Sequence, residues 1–169
     1  GKTQVFLKLI EDVVNDGKGV IVMVPEIALT PQTLNIFYSH FGDSVAVFHS
    51  ALSAGERIDE WKRVKKGEAK IAIGTRSAVF APLKNIGLVI IDEEHENAYK
   101  QVNPNPRYDA RTVAKKFCEN KTPFVYRVHE KPDPDKMSGF FDFLGSLGVK
   151  VNLEKKYIEP KDLQGILNQ

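Results

Sequence analysis

Cysteine is almost missing from this chain: Cys118 is the single one among 169 residues. One thiol excludes an intramolecular disulfide framework and any cysteine-based zinc cluster, and it fits a reducing compartment. Excess charge is missing too. Lys and Arg number 24 and Asp and Glu 22, a formal net charge of +2. That balance makes no general electrostatic case for nucleic-acid binding, so any basic face must be local. No apolar run approaches the length of a membrane span and no signal peptide precedes the fold, so the expectation is a cytoplasmic protein without a membrane. Internal repeats and low-complexity stretches are lacking. So is an initiator Met: the chain opens Gly1-Lys2-Thr3 and passes directly into a helical pattern, which is expected of a partial segment.

What is present is the balance of a soluble globular protein, with 42% hydrophobic and 27% charged residues, enough for one domain or one domain with an appendage. Strand-like and helix-like segments alternate. Val5, Phe6, Leu9, Ile10, Val13 and Val14 recur at helical spacing, and Gly17 stands where that helix would stop. Gly19 to Val24 is a short apolar run closed by Pro25, as in a buried parallel strand. Pro31 opens a second predicted helix through about Phe41, and Ser44 to His49 is the next strand. Ser53 and Glu56 have capping-box spacing at the start of a third helix. Lys62, Arg63, Lys65 and Lys66 precede Gly67, cations at the negative end of the helix dipole. Ala69 to Gly74 and Leu88 to Ile91 are two further predicted strands, and a helix is expected from about Asp109 to Glu119. This rhythm predicts an α/β fold, a parallel sheet between two helical layers. Ligands in such folds bind beyond the carboxyl ends of the strands.

Two patterns there carry chemistry. Asp92-Glu93-Glu94-His95 closes the apolar run LVII. An acidic residue at a strand end can hold Mg²⁺, and a second carboxylate beside it can orient an attacking water. The plainer alternative is a solvated acidic turn. Gly1-Lys2-Thr3 matches the last three residues of G-x-x-x-x-G-K-[ST], a loop that cradles phosphates on backbone N–H groups. Its earlier residues have no counterpart, so the chain is expected to begin partway through that loop. Trp61, His40 and His49 are read as packing or locally satisfied residues rather than ligands.

Further blocks carry a family resemblance. Val24 to Gln32 (VPEIALTPQ) resembles motif Ia of replication-restart DNA helicases of the primosomal protein N′ (PriA) type. Val47 to Ser53 with Gly55-Glu56-Arg57 resembles their next block, and Ile73 to Pro82 (IGTRSAVFAP) resembles motif Ib. Asp92 to His95 resembles motif II. Tyr99-Lys100-Gln101 and Pro106 to Arg111 resemble the loop that follows it. The resemblance covers residues 1 to about 115–122. It implies a P-loop NTPase, RecA-like, superfamily 2 helicase lobe, truncated at its N-terminus, with ATP and Mg²⁺ as the family's cofactors and weak or absent binding of them expected in this fragment. By resemblance, Gly1, Lys2 and Thr3 would bind nucleotide, and Thr3 and Asp92 the Mg²⁺. Glu93 would be the general base, and His95 would couple nucleotide state to DNA contacts. Thr30, Pro31, Gln32, Gly74, Thr75 and Arg76, with Tyr99, Lys100 and Arg107 of the loop from Glu96 to Tyr108, would face single-stranded DNA. The alternative for Tyr99 and Tyr108 is packing against the sheet. The implied partners are single-stranded and forked DNA, primosome proteins and single-strand-binding proteins. The family's second motor lobe, its arginine finger and its zinc-binding insertion have no counterpart in these residues, so zinc is not expected. An arginine finger is worth about 10³ to 10⁵ in rate, so this chain alone is expected to have negligible helicase activity and very weak ATPase.

Residues 123–169 resemble something else. Thr122 to Asp133 (TPFVYRVHEKPD), Asp135 to Gly148 and Pro160 to Gln164 resemble a segment of the ribonuclease R/II (RNB) exoribonucleases, without the aspartate cluster those enzymes use. A strand is expected at Phe124 to Val128, completing or appended to the sheet. A helical stripe of Met137, Phe140, Phe141, Leu144 and Leu147, a strand at Val149 to Leu153 and a short helix at Lys161 to Leu167 follow. The chain thus reads as two segments, 1–122 and 123–169. The competing functions are a helicase-lobe fragment, an inactive chimera of two α/β fragments, and an RNA- or single-strand-binding module acting through the tail.

Overall fold

The computed structural model describes residues 2–118 and 124–127. The stripe at Met137 to Leu147 and the elements expected beyond it lie outside the described residues. Four helices are described, α1 (Lys2–Asn15), α2 (Pro31–Phe41), α3 (Ala54–Lys66) and α4 (Ala110–Cys118). Among the strands are β1 (Gly19–Met23), β2 (Val45–Phe48), β3 (Ile71–Gly74) and β4 (Ile86–Ile91). A short antiparallel pair follows, β5 (Lys100–Gln101) and β6 (Tyr108–Asp109), and then β7 (Phe124–Arg127). The main sheet is parallel throughout, in the order β2-β3-β1-β4-β7. The strand expected at Phe124 to Val128 is β7, and it pairs with β4. No helix among the described residues is long and apolar enough to cross a membrane.

Strand residues alternate between two cores, as the two-residue period of a strand requires. Val20, Val22, Ile71, Ile73, Leu88 and Ile90 pack with Val5, Phe6, Leu9, Ile10 and Val13 of α1 and Phe37 of α2. Their neighbours Ile21, Met23, Ala72, Val89 and Ile91 face the other way, onto Val64 of α3 and Ala110 and Ala114 of α4. Both faces of β1, β3 and β4 are therefore covered, which explains why these strands read as unbroken apolar runs.

Local chemistry sets the helix ends. Ser53 Oγ accepts from the Glu56 amide at 3.3 Å and the Ser53 amide donates to Glu56 Oε2 at 2.8 Å, the reciprocal cap predicted for α3. Gly67 ends α3 in the left-handed conformation, φ +82°. α3 also guards the outer edge of the sheet. Glu60 Oε2 accepts from the Val47 amide of β2 at 2.6 Å. Arg63, paired with Glu60 at 2.6 Å, donates to the Val45 carbonyl at 3.3 Å. Trp61 is partly exposed with the Lys65 ammonium 4.6 Å from its ring centroid.

The direction of α1 positions the site. Its last turn passes into β1 through Gly17 and Lys18, and Val13 lies against Gly87 near the start of β4. A 14-residue helix is about 21 Å long, about the length of a six-residue strand. The first turn of α1 therefore lies toward the rim where β1 and β4 end.

Candidate nucleotide and nucleic-acid site

β4 ends at Ile91, and the chain turns sharply through Asp92 to His95. The Asp92 amide continues the ladder by donating to the Met23 carbonyl at 2.8 Å. Asp92 Oδ1 accepts from the Glu93 amide at 3.0 Å. Glu93 has φ +48°, the left-handed region that residues with a Cβ seldom enter. Asp92 and Glu93 are partly exposed and Glu94 is buried. The His95 imidazole lies 3.8 Å from Glu93 Oε2 and 3.9 Å from Glu96 Oε1. Thr3, half-buried, stands in the first turn of α1 at the same rim. Gly1 and the Lys2 side chain lie outside the described residues and side chains.

The donor set suits Mg²⁺ held largely by water and phosphate. Among the described residues no group of three or more His, Cys, Asp or Glu is arranged around a metal position. Mg²⁺ in phosphate-transfer sites is commonly bound by one or two carboxylates plus substrate phosphates and water. The half-exposed Asp92 at a strand end, with a hydroxyl residue in a helix's first turn at the same rim, fits that mode.

A second feature opens beside it. A cleft of about 250 Å³ lies beyond the ends of β1, β2 and β3, with Glu26, Arg57, Thr75, Arg76, Ser77 and Gln101 in its walls. Of the expected strand-facing residues it contains Thr75, Arg76 and part of Tyr99. Pro31 and Gln32 are exposed at the start of α2, Lys100 is exposed on β5 and Arg107 on the β5–β6 connection. Arg76 Nη1 donates to the Ala98 carbonyl at 3.3 Å, joining the turn after β3 to the loop after the acidic turn.

Three of the residues expected to face DNA have local structural roles. Tyr99 was expected to face DNA; it is 1% exposed and belongs to the core. Its hydroxyl donates to the Asp92 carbonyl and lies 3.2 Å from the Met23 carbonyl. Burial, and then the nearby Asp92 and Glu93 carboxylates, push the phenol far above its ordinary pKa, so it stays a donor. The expectation is corrected to the packing alternative. Thr30 caps α2, its side chain accepting from the Thr33 amide at 3.2 Å. At Gly74 a Cβ would meet the Phe48 carbonyl oxygen at 1.9 Å, so close strand packing explains this glycine.

Arg57, Ser77 and Gln101 were not singled out from sequence as site residues, nor was Arg111. The Arg111 guanidinium binds both oxygens of Asp109, at 2.8 and 2.6 Å, and donates to the Glu94 carbonyl at 2.6 Å. These hydrogen bonds from Arg111 hold the Asp109 carboxyl below the usual carboxylate range.

A parallel sheet between two helical layers, with an acidic turn and a helix start on one rim, has the architecture of a RecA-like helicase lobe. Residues 1–123 match the DEAD/DEAH box helicase family, and the chain belongs to it. It is similar to Replication restart protein PriA of Bacillus subtilis, 52% identical over 120 residues, which are 71% of this chain and 15% of that protein. The protein of the same name from Synechocystis is 50% identical over 119 residues, 70% of this chain and 14% of the relative. The chain thus spans about one-seventh of the length of these relatives. The fold matches the Pyrococcus furiosus Hef helicase domain at a TM-score of 0.56 and 21% identity, over 86% of this chain and 31% of that one. The family match ends at residue 123, so residues 124–169 fall outside it; the exoribonuclease resemblance expected for them is not shown, and all of them except 124–127 lie outside the described residues.

Proposed function

We propose that residues 1–122 are the ATP- and single-strand-binding part of the first motor lobe of a replication-restart helicase. One observation supports this most: the acidic turn closing β4 and the first turn of α1 lie at the same rim of one parallel sheet. When bound, Mg²⁺–ATP supplies the phosphoryl group to be transferred to water. Lys2 and the free N–H groups of the first turn of α1 would hold the phosphates, because a helix N-terminus favours anions. Thr3 and Asp92 would hold the cation. Glu93 would take the proton of the attacking water, and His95 stands where its imidazole meets the Glu93 carboxylate.

Single-stranded DNA would cross the cleft beyond β1 and β3. Thr75 and Arg76 line it, and Gln32, Lys100 and Arg107 are exposed outside its walls; together they offer hydroxyl, amide and cationic groups suited to a phosphate backbone and indifferent to base identity. Forked DNA, primosome proteins and single-strand-binding proteins are the expected partners of the longer protein. Residues 123–169 are proposed as a separate segment that contributes β7 to the sheet.

The test is steady-state ATP hydrolysis with Mg²⁺ and single-stranded DNA, wild type against Glu93→Gln. Turnover far below that of a two-lobe motor is expected, with the remainder lost in Glu93→Gln and thermal unfolding unchanged. Turnover equal to an intact motor's, or a residual rate that survives Glu93→Gln, would refute the reading.

A further inference from the structure

The carbonyls on either side of Glu93 are each held by a side chain from the segment that follows. The Tyr99 hydroxyl donates to the Asp92 carbonyl, just before Glu93. Arg111 Nη1 donates to the Glu94 carbonyl, just after it, at 2.6 Å. Between these two grips Glu93 adopts φ +48°. A short turn with a side-chain-bearing residue in that region persists when its surroundings over-determine it.

Both grips are themselves anchored. The Tyr99 ring is buried among the core residues behind β1 and β4, and its hydroxyl also reaches the Met23 carbonyl. Arg111 cannot swing away easily, because Asp109 holds its guanidinium through two oxygens and the Arg111 amide donates to Asp109 Oδ1 at 3.0 Å. A planar guanidinium can make this bidentate contact and still present Nη1 to a third acceptor, because its donors are spread over a rigid fork, whereas those of an ammonium sit on one nitrogen. Asp109 is fixed in turn by the β5–β6 pairing, opposite Lys100.

We infer that Tyr99 and Arg111, braced by Asp109, are positioning residues that fix the backbone of the Asp92–Glu94 turn and so aim the Asp92 and Glu93 carboxylates. Neither is among the residues assigned above to nucleotide or cation. The inference rests on the reading of Asp92 and Glu93 given under Proposed function, but the grip itself can be measured without nucleotide.

Tyr99→Phe keeps the ring and removes the donor; Arg111→Lys keeps the charge and removes the fork. Amide hydrogen exchange on the full chain reads the turn directly, through the Glu93 amide bound to Asp92 Oδ1 and the Glu96 amide bound to the Glu93 carbonyl. In each variant these two amides should exchange about tenfold faster while Val22 and Ile73 in the central strands stay as in wild type. Unchanged exchange at Glu93 and Glu96, or equal acceleration throughout the sheet, would overturn the inference.

Mn²⁺ titration in the presence of ADP, followed by electron paramagnetic resonance, then separates positioning from mere support. The ion's affinity should fall several-fold in both variants. Loosened amides with unaltered Mn²⁺ affinity would overturn the positioning role. A wild-type chain that takes up no Mn²⁺ with ADP would instead sink the nucleotide reading, leaving the exchange result to decide the grip.

Discussion

Replacing Gly74 with alanine tests the sheet where it meets the cleft. The added Cβ would lie 1.9 Å from the Phe48 carbonyl oxygen and 2.8 Å from its carbonyl carbon, both backbone atoms. Ordinary contact begins near 3.4 Å, so the ends of β2 and β3 must part by about 1.5 Å. That movement strains the hydrogen bond from the Thr75 amide to the Phe48 carbonyl, 3.1 Å in the native chain. Overpacking a close contact costs about 1–3 kcal/mol, and the hydrogen bond adds about 1 kcal/mol. The expected loss is about 3 kcal/mol. At about 2–4 °C per kcal/mol for a chain of this size, Tm should fall by about 6–12 °C. Gly55→Ala is the internal control: it stands in α3 with nothing within 4 Å of the new Cβ, and it should raise stability by about 0.5 kcal/mol. Thermal unfolding followed by far-UV circular dichroism measures both. A Gly74→Ala chain melting within about 2 °C of wild type would show that β2 and β3 do not approach as described.

Further outcomes follow from the same geometry. Glu60→Ala strips the acceptor from the Val47 amide and the partner from Arg63; urea unfolding should show a loss of about 1.5–3 kcal/mol, the range for a hydrogen bond to a charged group. Asp109 has a folded pKa held below its ordinary value by Arg111, so its contribution is complete above the unfolded value of about 3.9 and lost as pH falls through the lower folded value. The urea midpoint of wild type should therefore drop more steeply below about pH 4 than that of Asp109→Asn, and parallel curves would contradict this. Arg76→Ala should lower the slope of log affinity against log salt for single-stranded DNA by about 1 and weaken binding alike for all sequences. A slope unchanged from wild type would remove Arg76 from the phosphate contacts.

The elements written locally were legible. The cap of α3 needs only Ser53 and Glu56 three residues apart, and both bonds are present. The apolar runs at Gly19 and Leu88 named strands because both their faces are covered, although β4 begins two residues earlier, at Ile86. The acidic turn was readable because it directly follows such a run. What escaped notice depends on distant parts of the chain. For Tyr99 the sequence left DNA contact and packing against the sheet both open, and only the fold shows its ring behind β1 with its hydroxyl on Met23, 76 residues away. Arg111 was named only as the end of the block from Pro106, while its main acceptor besides Asp109 is a backbone carbonyl 17 residues earlier. The close approach of Gly74 to the Phe48 backbone was likewise invisible in the sequence. The β5–β6 pairing lay inside what read as one loop, since two-residue strands leave no periodicity to detect.

The side chains of Glu60 and Arg63 have a consequence for how this molecule meets others. A border strand with bare amides and carbonyls invites a foreign segment to zip alongside it, the first step of many fibrillar deposits. Here the helix has already occupied those positions on β2 with one carboxylate and one guanidinium, so an intruding strand would first have to displace an ion pair. Uncontrolled association through that flank is discouraged by two residues whose other duty is holding a helix in place.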